Sequence, residues 1–163
     1  MICIREANKG DVETLCGVLC ASIRELCTAD HKDDPETIAR WTANKTPEHV
    51  AGWIADPRRT LFLAAREDQP AGVGCISDGG EVLLNYVAPA HRFCGVSRAL
   101  LAHIEAVLVE NGVTTARLTS TETAHRFYRE AGWADVGEPE ILFGLRGYPM
   151  EKDLRVRPGS DGR

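Results

Sequence analysis

The sequence has no run of about 18 consecutive apolar residues, the length a membrane-crossing helix needs. Its first residues, Met1-Ile2-Cys3-Ile4-Arg5-Glu6, lack the basic segment followed by an apolar stretch that marks a secretory leader. None of the six cysteines (Cys3, Cys16, Cys20, Cys27, Cys75, Cys94) forms a C-x-x-C pair, so the usual zinc and redox motifs are missing. Cys16 and Cys20 stand four apart on a helix-like run beside Leu15, Leu19 and Ile23. They read as small core hydrophobes in a reducing compartment, and no metal is expected. A basic stripe is also missing: 24 Asp and Glu outnumber 19 Lys and Arg, for a formal net charge of −5, which argues against a nucleic-acid partner. There is no internal repeat, low-complexity tract or interdomain linker. The expectation is a cytoplasmic protein with no membrane attachment, whose 163 residues suffice for one domain with a full core.

Against these absences one junction stands out. The apolar, strand-like run Val82 to Val87 ends at Pro89, and a helix-like run begins at Ser97 and continues to Asn111. Between them lies His91-Arg92-Phe93-Cys94-Gly95-Val96-Ser97-Arg98. A glycine there lets successive backbone N–H groups turn toward one point, and the following helix adds the positive end of its dipole. The result is an anion site built largely of backbone, suited to a phosphate or pyrophosphate. A small anionic ligand needs only such a local site, so the overall acidity does not oppose it.

The flanking patterns supply a frame. Ile2 to Ala7 alternates like a strand, and Asn8 or Asp11 can cap a helix reaching about Cys27. Asp34-Pro35 and Thr46-Pro47 each pair an N-cap with proline at the first helical position. Leu61–Ala65, Ala71–Ser77 and Glu81–Val87 are separated by turn residues and predict a three-strand antiparallel meander. After the Ser97–Asn111 helix and its closing Gly112, Thr114–Leu118 reads as a strand. Thr119-Ser120-Thr121-Glu122 has capping-box spacing for a helix through Ala131, closed by Gly132. Ile141–Phe143 and Tyr148–Leu154 predict a final strand pair, with a mobile tail over residues 155–163. The fold class is a single α/β domain over 1–154, a mixed, mostly antiparallel sheet flanked by helices.

Two segments in this order resemble the GNAT acetyltransferase superfamily. Val87-Ala88-Pro89 followed by Arg92-Phe93-Cys94-Gly95-Val96-Ser97 is similar to its acetyl-CoA signature, Q/R-x-x-G-x-G/A after a V-x-P strand end. Ala124-His125-Arg126-Phe127-Tyr128-Arg129-Glu130-Ala131-Gly132-Trp133 is similar to its A-x-x-F-Y-x-x-x-G-F motif, and Tyr148-Pro149-Met150-Glu151-Lys152 to its closing strand. Ser97 replaces the usual glycine or alanine, Cys94 a common glycine or basic residue, and Thr121 stands where relatives often carry serine or asparagine.

The resemblance implies acetyl-CoA as co-substrate and direct acetyl transfer to a primary amine, without a covalent enzyme intermediate. The cofactor-binding residues would be Tyr86, Val87, Arg92, Phe93, Cys94, Gly95, Val96, Ser97, Arg98, Thr121 and Tyr128, with a backbone N–H near Val87 on the thioester oxygen. Tyr128 would protonate the departing thiolate, since a phenol stays protonated at neutral pH where a thiol begins to ionise. Glu81 would activate the amine; the alternative is a solvated glutamate at a turn exit. Asn85 shares its parity on a regular strand and could orient substrate. His31 and Asp33 are further candidates for the base. The acidic run Asp30, Asp33, Asp34 and Glu36 reads either as a match for a cationic acceptor or as helix caps. The acceptor would be a small-molecule or peptide amine, and the assembly a monomer or homodimer. Rival readings are a non-catalytic acyl-CoA binding module, and transfer of another acyl group or to a hydroxyl.

Overall fold

The computed structural model describes residues 1–142 and 144–155. The chain runs β1 (Ile2–Glu6), α1 (Val12–Leu26), α2 (Thr28–His31), α3 (Pro35–Thr42), α4 (Pro47–Ala55), β2 (Arg59–Arg66), β3 (Gln69–Ser77) and β4 (Glu81–Val87). It continues through α5 (Val96–Glu110), β5 (Thr115–Ser120), α6 (His125–Glu130), β6 (Ala134–Asp135), β7 (Glu140–Leu142) and β8 (Leu145–Asp153). The sheet order is β1-β2-β3-β4-β5-β8-β6, with β7 on β8. Every pairing is antiparallel except β4 with β5. This is the expected mixed, mostly antiparallel α/β fold. No helix among the described residues is long and apolar enough to cross a membrane.

Helices cover both faces. On one, α1 turns Leu15, Val18, Leu19 and Ile23 inward at helical spacing. Leu15, Val18 and Leu19, with Val50 of α4, meet Leu61, Leu63, Val73 and Cys75 of the sheet. On the other, Leu100, Leu101, Ile104 and Leu108 of α5 pack with Phe62, Ile76, Val82, Ala116, Leu118 and Met150. Strand β3 explains how closely α5 lies. A Cβ on Gly74 would stand 2.9 Å from Ile104 Cδ1 and 3.2 Å from Leu100 Cδ1, and one on Gly72 3.0 Å from Val96 Cγ1. Glycine weakens a strand in isolation; here two of them open the seat for the helix that carries the anion loop.

Several local readings change in the structure. Asn8 caps a short 3₁₀ turn, Lys9–Asp11, with a reciprocal capping box to Asp11, and α1 follows it. The Asp34 and Thr46 caps form as expected, each accepting the N–H three residues on. The capping box expected at Thr119–Glu122 does not form. Thr119 and Ser120 complete β5, Thr121 Oγ1 accepts the Ala124 N–H, and α6 begins only at His125. The parity expected on β4 also fails. The β3–β4 register jumps from Cys75↔Leu84 to Ile76↔Val82, leaving Leu83 as a bulge. Leu83 and Leu84 therefore pack in the same cluster beneath α1, and Glu81 and Asn85 no longer share a face. The strand expected to include Phe143 is seen as β7 over Glu140–Leu142; Phe143 and the tail from 156 onward lie outside the described residues.

Because the buried Leu100 and Ile104 side chains of α5 border Gly74, Gly74→Val is expected to cost about 1–3 kcal/mol by overpacking, despite valine's preference for strands. Urea denaturation of both proteins measures it; equal midpoints would show that α5 can move away freely.

Candidate active site

Strands β4 and β5 are bonded only at Glu81↔Arg117 and Val82↔Leu118. Beyond that point β4 stays with β3 as far as Val87↔Gly72, and β5 stays with β8 as far as Ser120↔Tyr148. Two parallel strands held by different outer neighbours must diverge, and the Leu83 bulge lies where they begin to. The Ala88 N–H donates to Ala71 O at 2.8 Å, on the β3 side. Alternation along the extended chain then turns the Val87 and Asn85 N–H groups the other way, into the opening.

The opening joins three spaces. A crevice of about 50 Å³ lies between the strands, with Asn85, Tyr86, Leu118, Thr121 and Tyr128 on its walls. A cleft of about 480 Å³ follows, bordered by Tyr86, Val87, the Arg92–Arg98 loop, Thr121 and Tyr128. A second cavity, of about 570 Å³, is formed by α2, α3 and the loop after it, the end of β5, and the β7–β8 hairpin. Tyr86 and Thr121 border all three.

The loop leaves backbone donors open toward the cleft. Gly95 precedes α5 with φ 82°, and no side chain caps the helix. The N–H groups of Val96, Ser97 and Arg98 meet no acceptor among the described residues. Phe93 also has positive φ, 62°, and is 92% exposed with the Arg92 guanidinium 4.6 Å from its ring centroid. Holding a non-glycine residue there costs free energy, and its effect is to turn the loop's backbone toward the helix start. Arg92 and Arg98 are exposed and make no ion pair among the described residues.

The predicted residues divide clearly. Tyr86, Val87, Arg92, Phe93, Gly95, Val96, Ser97, Arg98, Thr121 and Tyr128 all border the cleft. Cys94 does not: half-buried, it packs against the core beneath α5 with Sγ 3.5 Å from Arg92 O. Glu81 does not border any of the three spaces. It sits where β4 and β5 are still paired, opposite Arg117. His31 is buried with both ring nitrogens engaged, Nδ1 accepting the Asp33 N–H and Nε2 on Ile23 O at 2.7 Å. Both ring nitrogens are thus committed to contacts within the fold. Asp34 caps α3 and Glu36 pairs with Arg40, so most of the acidic run serves as caps and helix-surface pairs.

Tyr128 is buried on α6 between Phe127 and Trp133. Burial pushes its phenol up to about 12, against a smaller downward pull from the Asn85 side chain. Burial raises the Tyr86 phenol as well. Asn85 Oδ1 is buried without a hydrogen-bond partner among the described residues, an orphan acceptor facing the opening.

Asp30, read in the sequence only as part of the acidic run, acts as a clamp. Its carboxylate accepts the N–H groups of Glu122 (2.7 Å) and Thr123 (3.1 Å) and the Thr123 hydroxyl. This fastens α2 to the β5–α6 turn, between the cleft and the second cavity. The partners are 92 and 93 residues apart in sequence, so no local signal announces them.

Residues 28–154 match the acetyltransferase (GNAT) domain family. The chain belongs to the GNAT acetyltransferase family. No curated protein sequence matches it. Among solved structures, a GCN5-related N-acetyltransferase from Rhodopseudomonas palustris superposes with TM-score 0.83 at 18% identity, over 93% of this chain and 94% of that one. The PaiA N-acetyltransferase of Thermoplasma acidophilum, solved with coenzyme A, gives 0.76 at 21% identity over 94% and 99%. YncA of Salmonella typhimurium, a putative acetyltransferase solved with acetyl-CoA, gives 0.65 at 18% over 100% and 99%. These likenesses establish the GNAT fold for the opened sheet and its loop.

A Cβ on Gly95 would meet nothing within 4 Å, so within the protein only its φ of 82° resists substitution. Gly95→Ala should lose about 1–2 kcal/mol of stability from the left-handed backbone alone. Gly95→Glu adds a negative charge and should weaken coenzyme A at least about tenfold more than the alanine variant does. Titration calorimetry of both decides; equal affinities would place the anion elsewhere.

Proposed function

We propose that the protein is an acetyl-CoA-dependent N-acetyltransferase that passes the acetyl group directly to an amine. The observation that carries this reading is a convergence at one opening. Orphan N–H groups at the α5 start, unpaired β4 backbone and the Tyr128 hydroxyl all border the same cleft. The α5 start and the Arg92–Arg98 loop would hold the pyrophosphate, with Arg92 and Arg98 as charge partners. The unpaired β4 edge and Asn85 Oδ1 would receive the amides of the pantetheine arm. The Val87 N–H faces the opening, where it would stabilise charge developing on the thioester oxygen.

Tyr128 would donate a hydrogen bond to the departing sulfur; burial raises its phenol, so the proton to be donated stays in place. A bond of that kind to a charged group contributes about 1.5–3 kcal/mol. The proton that the nitrogen sheds as the tetrahedral intermediate collapses would restore the thiol. On the amine side, Asp30 is tied to the β5–α6 turn and Glu140 is exposed on the outer hairpin. Neither is placed as a base, so the amine arrives neutral, having lost its proton to water.

Tyr128→Phe keeps the ring and its packing. It should lower kcat by about 10- to 150-fold at unchanged acetyl-CoA affinity, the value of one charged hydrogen bond. A loss above about 10³ would show full acid catalysis instead. Undiminished turnover would remove the hydroxyl from the chemistry, and tight donor binding without turnover of any amine in the unaltered protein would leave a binding module.

The pH dependence follows from the same groups. kcat/KM should climb toward the acceptor's own pKa. A raised phenol pKa keeps the donor form present as pH increases, so no fall from Tyr128 should appear below about pH 10. A plateau set near pH 6–7, removed in Glu81→Gln, would instead identify Glu81 as the base.

A further inference from the structure

The 570 Å³ cavity is bordered by three cations, Arg40, Lys45 and Arg146, and by two carboxylates, Asp30 and Glu140. In a chain of formal net charge −5 this is a local reversal of sign. The Asp30 carboxylate keeps its charge, but both its oxygens already receive donors from the Glu122–Thr123 turn, and Glu140 is exposed on the hairpin rim. Among the described residues Arg40 pairs only with Glu36 of its own helix, both exposed, a contact worth little in water. Arg146, exposed on β8, makes no ion pair among the described residues.

Lys45 is the decisive residue. It is half-buried in the loop after α3 and has no carboxylate within ion-pair distance among the described residues. Burial holds its ammonium below the usual range. An ammonium partly withdrawn from water without a counter-charge is unfavourable, and charges so placed are ordinarily paired. Trp41, Leu142 and Leu145 supply apolar surface beside it, so the space suits a small molecule with an apolar body.

We propose that the acceptor is a small amine that also carries an oxyanion, most simply a carboxylate, and that Lys45 binds this oxyanion with Arg40 and Arg146 at the rim. The proposal rests on the acetyltransferase reading above and names the substrate class for its acceptor side. The reacting nitrogen belongs at Tyr86 and Thr121, which border the donor cleft as well, and the oxyanion at Lys45. A polycationic acceptor would set a second ammonium against Lys45 and Arg146, and a plain amine would leave Lys45 uncompensated.

The test uses matched pairs. Acetyl-CoA turnover is measured on amino acids with apolar and polar side chains, on dipeptides and aminophosphonates, and on each compound's uncharged counterpart (carboxamide or decarboxylated amine). The anionic members should be preferred by about ten- to a hundredfold in kcat/KM, the value of one charged hydrogen bond. Lys45→Met should abolish that preference and Lys45→Arg should keep most of it, both with unchanged coenzyme A affinity, and Lys45→Met with a melting temperature no lower than that of the unaltered protein. Equal use of charged and uncharged partners by the unaltered protein, or a preference that survives Lys45→Met, overturns the proposal while leaving acetyl transfer intact. Calorimetry of N-acetyl amino acids and N-acetyl carboxamides on the coenzyme A-saturated protein separates the two readings. Lys45-dependent binding of the acids with no turnover of any amine keeps the anion site and discards the transfer. No binding and no turnover of any anionic member overturns the site. A preference for phosphonate over carboxylate upholds the site and assigns it the larger oxyanion.

Discussion

Everything proposed for this chain depends on the parting of β4 from β5 after two residue pairs. A parallel pair that continued would satisfy its own backbone and close the sheet. Here β3 and β8 hold the two strands from outside, and the bulge at Leu83 lets β4 change direction at the point of divergence. The cost is a strand edge with unpaired amides in a partly dry crevice, where an unmet N–H or C=O costs about 1–3 kcal/mol. That cost explains the Asp30 clamp. By fixing the β5–α6 turn to α2, it holds the far wall in place without bridging the gap itself.

The cleft at the α5 start and the second cavity are made of different materials. The cleft draws on backbone: the edge of β4, Phe93 and Gly95 at positive φ, and the uncapped start of α5. Its side-chain part is small, chiefly Tyr128 and Asn85. The second cavity, where the proposal places the acceptor, draws on side chains from α2, from α3 and the loop after it, and from the β7–β8 hairpin. Backbone recognition suits a ligand that is the same in every reaction. Side-chain recognition suits one that changes from protein to protein, because it can be altered without disturbing the sheet.

This division also accounts for what the sequence disclosed. Gly95 before an amphipathic run, Pro89 at a strand exit, and the Asp34-Pro35 and Thr46-Pro47 starts are short-range constraints on φ and on orphan N–H groups, and they read correctly. Thr119–Glu122 also has a short-range pattern but misled. β5 continues along β8 to Ser120, and the Glu122 N–H is taken by Asp30 instead of a cap. Ladder pairing across the sheet outweighed a local cap worth about 1 kcal/mol. Glu81 and Asn85 were assigned one face by a period of two, which holds only on an unbulged strand.

Lys45 carries no mark in the sequence at all. It sits among Asn44, Thr46 and Pro47 as an ordinary loop lysine before a capped helix. Its meaning comes from burial by residues distant in the chain and from the lack of any acid beside it, and a one-dimensional pattern encodes neither. The acidic residues nearby are more numerous and more visible, yet the fold uses Asp30 and Asp34 for hydrogen bonds to backbone and Glu36 for a pair within its own helix. What a site offers a ligand depends on which charged groups keep unsatisfied hydrogen-bonding capacity after folding. Among the described residues Lys45 makes no ion pair, whereas both Asp30 oxygens already hold donors.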